Sequence, residues 1–180
     1  MDARTFDEFV IRQQKESEAA PVNWERERDE WLTYLADLYR QIESFLNKYV
    51  TSGQIRLEYR SIKLNEEYIG PYAAQQMILC IGRQQVELVP IGTLFIGAKG
   101  RVDVMGPAGK AEILLVDSKS SGRPRILVTV GTEGHLPIPP AQVPRSIKWE
   151  WRIVTRPPER RFIEITQESL FQLIMEVANG

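Results

Sequence analysis

The stretches MILCIGRQQVELV (77–89) and RVDVMGPAGKAEILLVD (101–117) each contain two apolar runs separated by four turn-forming residues. Short apolar runs on either side of such a turn are typical of β-hairpins. Strands joined by so short a turn must be antiparallel, because a parallel crossover needs about a dozen residues or more. The two stretches therefore predict the centre of an antiparallel sheet.

Strand patterns continue on both sides of this centre. Apolar and polar residues alternate over 55–59, before the hairpins, and again over 147–153, after them, and 126–130 and 162–165 are further apolar runs. The alternation slips by one residue before Ile62, which predicts a bulge or a bend. Altogether the patterns predict a sheet of about seven to nine strands.

Two helices are predicted at the ends of the sheet. From Asn23 to Val50 apolar residues recur at steps of three and four, and Asn23 suits the N-cap position. From Thr166 to Ala178 apolar residues occupy nearly the whole circumference, as in a helix that is buried or covered by a partner. The predicted fold class of residues 23–180 is a single α+β domain. Its bent antiparallel sheet, a partly open barrel or a two-layer sandwich, is covered by an N-terminal and a C-terminal helix.

Residues 1–22 form a separate N-terminal arm in this prediction. The arm begins with a good capping box, but Phe6, Phe9 and Val10 supply only one apolar turn, so its helix should be marginal. Such aromatic residues on a short arm favour contact with another protein or a second copy of the chain. We therefore predict that these three residues bind a partner.

Composition excludes several kinds of chemistry. The chain has one histidine, His135, and one cysteine, so it cannot form an internal disulfide or a thiolate metal cage. The turn Gly106–Lys110 ends in Gly-Lys, but Ala111 stands where a phosphate loop needs Ser or Thr. The first residues lack the pattern of a signal peptide, and no apolar run is long enough to span a bilayer. We expect a cytoplasmic protein without a membrane partner.

Charge is distributed unevenly along a chain whose formal net charge is −1. Residues 1–50 contain eleven acidic and seven basic residues, and residues 145–161 contain six basic and two acidic residues. Arg156, Arg160 and Arg161 surround a Pro-Pro turn and are predicted to contact an anion. Nucleic-acid binding has weaker support, because the alternation over 147–153 places the tryptophans on the face opposite the cations.

The segment from Arg101 to Lys119 resembles the metal-binding signature of restriction-endonuclease-like nucleases. The residues that carry the resemblance are Asp103 and, on the next strand, Asp117-Ser118-Lys119. The resemblance implies that the two carboxylates hold Mg²⁺ and that Lys119 positions the attacking water. The same residues also suit a solvated strand face and a polar turn without any catalytic role.

The function favoured by these patterns is a non-catalytic protein-binding or assembly module that needs no cofactor and no metal. The alternative is a metal-dependent nuclease or phosphodiesterase that uses Asp103, Asp117 and Lys119. A third hypothesis is a small-ligand pocket inside the curved sheet, with Tyr59, Trp149 and His135 near its mouth. The separation of the two aspartate carboxylates distinguishes the nuclease from the other hypotheses.

Overall fold

The computed structural model describes residues 22–93, 98–119 and 147–179, together with Asp7 and Ile11. In this part of the chain seven strands form one open antiparallel sheet whose strand order is the sequence order, with one helix before it and one after it. The elements are α1 (Trp24–Thr51), β1 (Ile55–Glu66), β2 (Gly70–Ile81), β3 (Gln84–Gly92), β4 (Gly100–Gly106), β5 (Gly109–Asp117), β6 (Trp149–Val154), β7 (Phe162–Glu164) and α2 (Gln167–Asn179). The predicted α+β fold class is confirmed.

Some predictions lie outside the described residues. They are the strand at 126–130, the loop that contains His135, and the partner-binding residues Phe6, Phe9 and Val10. The predicted helices, in contrast, agree with α1 and α2 to within one residue at each end. The hairpins at 77–89 and 101–117 correspond to β2–β3 and β4–β5.

Helix α1 begins as its sequence predicts. The Asn23 side chain accepts a hydrogen bond of 3.0 Å from the backbone N–H of Arg26, and Glu25 and Glu27 lie in the first turn. Ser52 caps the other end, and Gly53 follows with a φ of 75°. The apolar stripe covers the sheet with six buried residues, which are Trp31, Leu35, Leu38, Tyr39, Ile42 and Leu46.

Both helices come into close contact with the sheet at glycines. A Cβ added at Gly100 would lie 2.1 Å from Cζ3 of Trp31, and one at Gly106 would lie 2.3 Å from the backbone oxygen of Val177. The two glycines are the end residues of β4, where glycine also suits the adjoining turns. Their second role is to leave room for a tryptophan and for the helix backbone, which places α1 and α2 on the same side of the sheet.

The phase slip before Ile62 is not caused by a bulge in β1. The pairing of β1 with β2 is continuous from Ile55↔Ile81 to Glu66↔Gly70, whereas β3 pairs with β2 only from Met77 onward. The part of the β1–β2 hairpin before Met77 of β2 is therefore a two-stranded ribbon, and such ribbons twist more than wide sheets do. Because of this twist Leu57 and Ile62 both pack against the core, although they belong to opposite faces of the strand. The register shift of this region is instead in β3, between Pro90 and Gly92.

Helix α2 is less uniformly covered than its sequence predicted. Five of its residues (Leu170, Leu173, Ile174, Val177 and Ala178) are buried against the sheet. Phe171 is half-buried, and Met175 remains 58% exposed. The sheet thus covers most of the apolar residues of α2, and Phe171 and Met175 line a groove.

Candidate functional site

Asp103 is a buried carboxylate on the face of the sheet opposite the two helices, which we call the outer face. Its neighbours Val102 and Val104 are buried on the helix side, so alternation directs Asp103 outward. Asp103 is 4% exposed, and it accepts charge-assisted hydrogen bonds from Arg101 Nε at 2.7 Å and from Lys110 Nζ at 2.6 Å. Both cations thus compensate the charge of this carboxylate within the protein.

The structure does not bring Asp103 and Asp117 together. Asp103 pairs with Glu112, and Asp117 lies five positions further along β5, a separation of roughly 17 Å at about 3.4 Å per residue. The odd separation also places the two carboxylates on opposite faces of the sheet. Lys119 donates its backbone N–H to Asp117 Oδ1 at 3.0 Å in a local turn. The geometry that a shared Mg²⁺ requires of these residues is not found, and the described ranges contain no cluster of three or more His, Cys, Asp or Glu that could hold a metal.

Basic residues of the outer face lie beside carboxylates. Arg101 lies 3.1 Å from Glu112, Arg160 lies 3.8 Å from the same carboxylate, and Lys148 lies 2.8 Å from Glu150. Hydrogen bonds from Lys148, and further ones from Arg152, hold the pKa of Glu150 below its ordinary value. These basic residues of the outer face are therefore paired with carboxylates of the protein itself.

The three predicted anion-contact residues differ in their surroundings. Arg160 pairs with Glu112, and Arg161 forms an ion pair with Glu159. Arg156 is exposed and has no ion-pair partner among the residues that the structure describes. Of the three, Arg156 is therefore the guanidinium that remains available to a ligand.

The tryptophans of β6 lie on the helix side, as the alternation predicted. Trp151 donates its indole N–H to the backbone oxygen of Tyr34 at 2.9 Å, and Lys99 Nζ lies 5.7 Å from the ring centroid of Trp149. Both rings are thus used in packing α1 and its neighbours on the sheet. Neither is part of a stacking platform shared with the cations of the outer face.

Tyr59 and Trp149 do not share a pocket. Tyr59 lines a cleft beside α1 together with Tyr39 and Glu43, whereas Trp149 lines a cleft that also includes Tyr34. Burial raises the pKa of Tyr39, whose hydroxyl donates to the backbone oxygen of Gln75 at 2.7 Å. The tyrosine stays neutral at physiological pH and has a structural role.

The cleft beside Trp149, which we call the acidic cleft, is large, and most of its acidic residues are paired with cations. It measures about 810 Å³, and its acidic lining residues are Glu25, Asp29, Glu30 and Asp37. Glu30 accepts hydrogen bonds from Lys99 at 2.6 Å and from Arg26 at 3.0 Å, and these two bonds lower its pKa. Asp29 and Asp37 pair with Arg28 and Arg40. Because three of its four acidic residues already have cation partners, the attraction of the acidic cleft for a cationic ligand is reduced.

A smaller groove has the character of a binding site. It measures about 370 Å³ and lies between the end of α1, the middle of α2 and the paired ends of β1 and β2. Its lining residues are Leu46, Tyr49, Gln54, Ile55, Ile81, Phe171, Ile174 and Met175. We call this site the base groove. Its polar groups are the side-chain amide of Gln54 and the hydroxyl of Tyr49, and the rings of Tyr49 and Phe171 meet edge to face at 5.7 Å.

Sequence patterns contained a partial signal for the base groove. Phe171 and Met175 are one helical turn apart on the helix that was predicted to be apolar nearly all round. Ile55 and Ile81 could not be connected with them from the sequence, because that requires the pairing of β1 with β2 and the position of α2 over the sheet.

No protein-family model matches the chain, and no curated protein or solved structure is significantly similar to it. Over the ranges that the structure describes, neither helix combines the length and the apolar character that crossing a bilayer requires.

Proposed function

We propose that this chain is a non-catalytic protein-binding module and that its base groove receives an apolar side chain from a segment of a partner protein. The observation that carries the proposal is the apolar lining of the groove beside the exposed Met175. Exposed apolar surface that borders a groove favours association with another protein. A flexible methionine at the rim suits contact with a partner because its side chain can adapt to several shapes.

The chemistry of the groove favours a protein segment over a small molecule. Small-molecule sites combine apolar walls with a few convergent polar groups that orient the ligand. Among the lining residues of the base groove none is charged, and the polar groups are the side-chain amide of Gln54 and the hydroxyl of Tyr49. A single anchoring side chain needs no such orientation, since the rest of the partner segment fixes its position.

One charge near the groove indicates the chemistry of the partner. Lys48 is exposed, and its Nζ lies 5.9 Å from the ring centroid of Tyr49, which lines the groove. A partner segment with an acidic residue next to its apolar anchor would pair with Lys48 at the rim. We therefore propose an apolar anchor flanked by Asp or Glu.

The other functional hypotheses have less support from the residues that the structure describes. Phe6, Phe9 and Val10 remain predicted partner contacts of the arm, which the base groove does not replace. The nuclease hypothesis needs Asp103 and Asp117 at one metal ion, whereas the pairing of β4 with β5 separates them. A direct measurement for that hypothesis is Mg²⁺-dependent cleavage of DNA by the wild-type chain and by Asp117→Ala.

Photo-crosslinking tests the protein-binding proposal. p-Benzoylphenylalanine is placed at position 175 of the full chain and, as a matched control, at position 105, because Met105 is also exposed, at 45%, but lies on the outer face. The crosslinked protein is identified and purified, and its Kd is then measured with wild type, Met175→Lys and Met105→Lys. Both substitutions are at exposed positions, so the fold should be retained.

The proposal predicts a crosslink at position 175 but not at 105, and a Kd that Met175→Lys weakens by about tenfold or more. It is contradicted if the two positions crosslink the same proteins, or if Met175→Lys leaves the Kd unchanged. If position 175 crosslinks only to a second copy of the chain, the base groove mediates self-association, and the proposal of a different partner protein is contradicted.

A further inference from the structure

A second cavity has a chemical character different from that of the base groove. It measures about 360 Å³ and lies between the end of β6, β7 and α2. Its lining residues are Ala111, Ile153, Val154, Thr155, Arg156, Ile163, Ser169, Gln172, Leu173 and Glu176. We call it the C-terminal cleft. Its floor is apolar, and its remaining lining residues are polar or charged.

Most of these polar groups are occupied by contacts within the protein. Thr155 Oγ1 donates to the backbone oxygen of Glu159 at 2.7 Å, and Ser169 Oγ donates to that of Glu164 at 2.7 Å. Gln172 Nε2 donates to Glu176 Oε1 at 3.0 Å. These bonds order the turn after β6 and the first turns of α2, so their groups are not directed at a ligand.

Arg156 differs from the other polar lining residues. Within the part of the chain that the structure describes it has no ion-pair partner, although Arg160 and Arg161 of the same turn have one each. Its guanidinium packs against the β4–β5 turn, since a Cβ added at Gly109 would lie 3.3 Å from Arg156 Nη2. The cleft therefore combines an apolar floor with a cation that forms no ion pair among the described residues, and Glu176 is the acidic residue of the same lining.

We propose that the C-terminal cleft binds a small monocarboxylate with an apolar tail. A planar guanidinium matches a carboxylate with two parallel hydrogen bonds, and the low polarity of the floor strengthens this interaction. The tail packs on Ile153, Ile163 and Leu173. Glu176, on the same lining, repels any anion, and because this repulsion grows with the charge of the ligand it disfavours a polyanion such as phosphate more than a monocarboxylate. The site is separate from the base groove and does not depend on the proposed protein partner.

NMR titration of the ¹⁵N-labelled full chain tests the site. The probes are sodium hexanoate, hexan-1-ol with the same carbon chain but no charge, and inorganic phosphate with charge but no tail. The proteins are wild type, Arg156→Gln, and Arg161→Gln as a control from the same turn. Arg156 and Arg161 are both exposed, so both variants should fold.

Hexanoate should shift the amide resonances of 153–156 and 169–176 and bind wild type and Arg161→Gln equally. Arg156→Gln should weaken hexanoate binding by about tenfold. The proposal is overturned if hexan-1-ol or phosphate binds as tightly as hexanoate, if Arg156→Gln binds hexanoate like wild type, or if hexanoate leaves these amides unshifted.

Discussion

The two faces of the sheet are both buried near its centre, but different interactions stabilise them. On the helix side, shape dominates, because Trp31 fits over Gly100 and leaves no space for a Cβ. On the outer face, charge dominates, because Asp103 is buried between Arg101 and Lys110. Burial and charge alone therefore do not identify a functional site here, because the buried carboxylate of Asp103 is paired with cations of the protein itself. The base groove differs from both faces because its apolar surface remains open.

The largest expected effect concerns shape on the helix side. Gly100→Ala should lower the free energy of unfolding by about 3 kcal/mol, since the added methyl group overlaps the ring of Trp31. Urea unfolding measures the loss. The double variant Gly100→Ala/Trp31→Phe should lose less than the sum of the two single variants, because the smaller ring relieves the overlap. Additive losses would show that Gly100 is not matched to Trp31.

A smaller effect is expected for charge on the outer face. Asp103→Asn should lower the free energy of unfolding by about 2 kcal/mol, because it removes the carboxylate that two partly buried cations share. The control is Glu159→Gln, which removes the exposed partner of Arg161 and should cost less than about 0.5 kcal/mol. Equal losses in the two variants would mean that the outer face has no buried charge network.

A polar contact on the helix side should contribute less still. Tyr39→Phe removes the hydrogen bond to the backbone oxygen of Gln75, where β2 departs from β3, and should cost about 1 kcal/mol. Tyr68→Phe, at an exposed tyrosine of the hairpin tip, should leave stability unchanged. Thermal unfolding of both variants measures the difference. A Tyr39→Phe variant as stable as wild type would show that the hydrogen bond to Gln75 does not stabilise the fold.

The smallest expected effect is a pH dependence in the acidic cleft. Hydrogen bonds from Lys99 and Arg26 lower the folded-state pKa of Glu30, so its contribution to stability is present above the unfolded-state pKa. The contribution is lost as the pH falls below about 4.3 and through the lower folded-state value. Since the carboxylate is 35% exposed, the loss should stay below about 1 kcal/mol. Glu30→Gln should lack this part of the stability decrease between pH 5 and pH 3, and an unchanged decrease would contradict the assignment.

The regular elements of the fold could be predicted from the sequence because their signals are local. Asn23 marks the start of α1, and the turn at Gly106–Gly109 marks the β4–β5 hairpin. The Gly70-Pro71 pair, in contrast, is typical of a turn or a loop. Pro71 instead belongs to β2 and pairs with Asn65, because the ribbon is open on the side of β2 where β3 no longer pairs.

The candidate sites depended on contacts between distant residues and were predicted less well. Asp103 and Asp117 are neighbours in a motif, but the pairing Asp103↔Glu112 keeps them apart. Arg156, Arg160 and Arg161 share a turn, yet their partners come from different elements, and this distinguishes Arg156 from the other two. Register and side-chain partners, which no local pattern encodes, decide both cases.

The most direct test of the account compares one methionine on each side of the sheet. It is the Kd of the protein crosslinked through position 175, measured for wild type, Met175→Lys and Met105→Lys. The account predicts a loss of about tenfold or more for Met175→Lys and none for Met105→Lys. Equal affinities for all three chains would contradict the assignment of the base groove as the binding site.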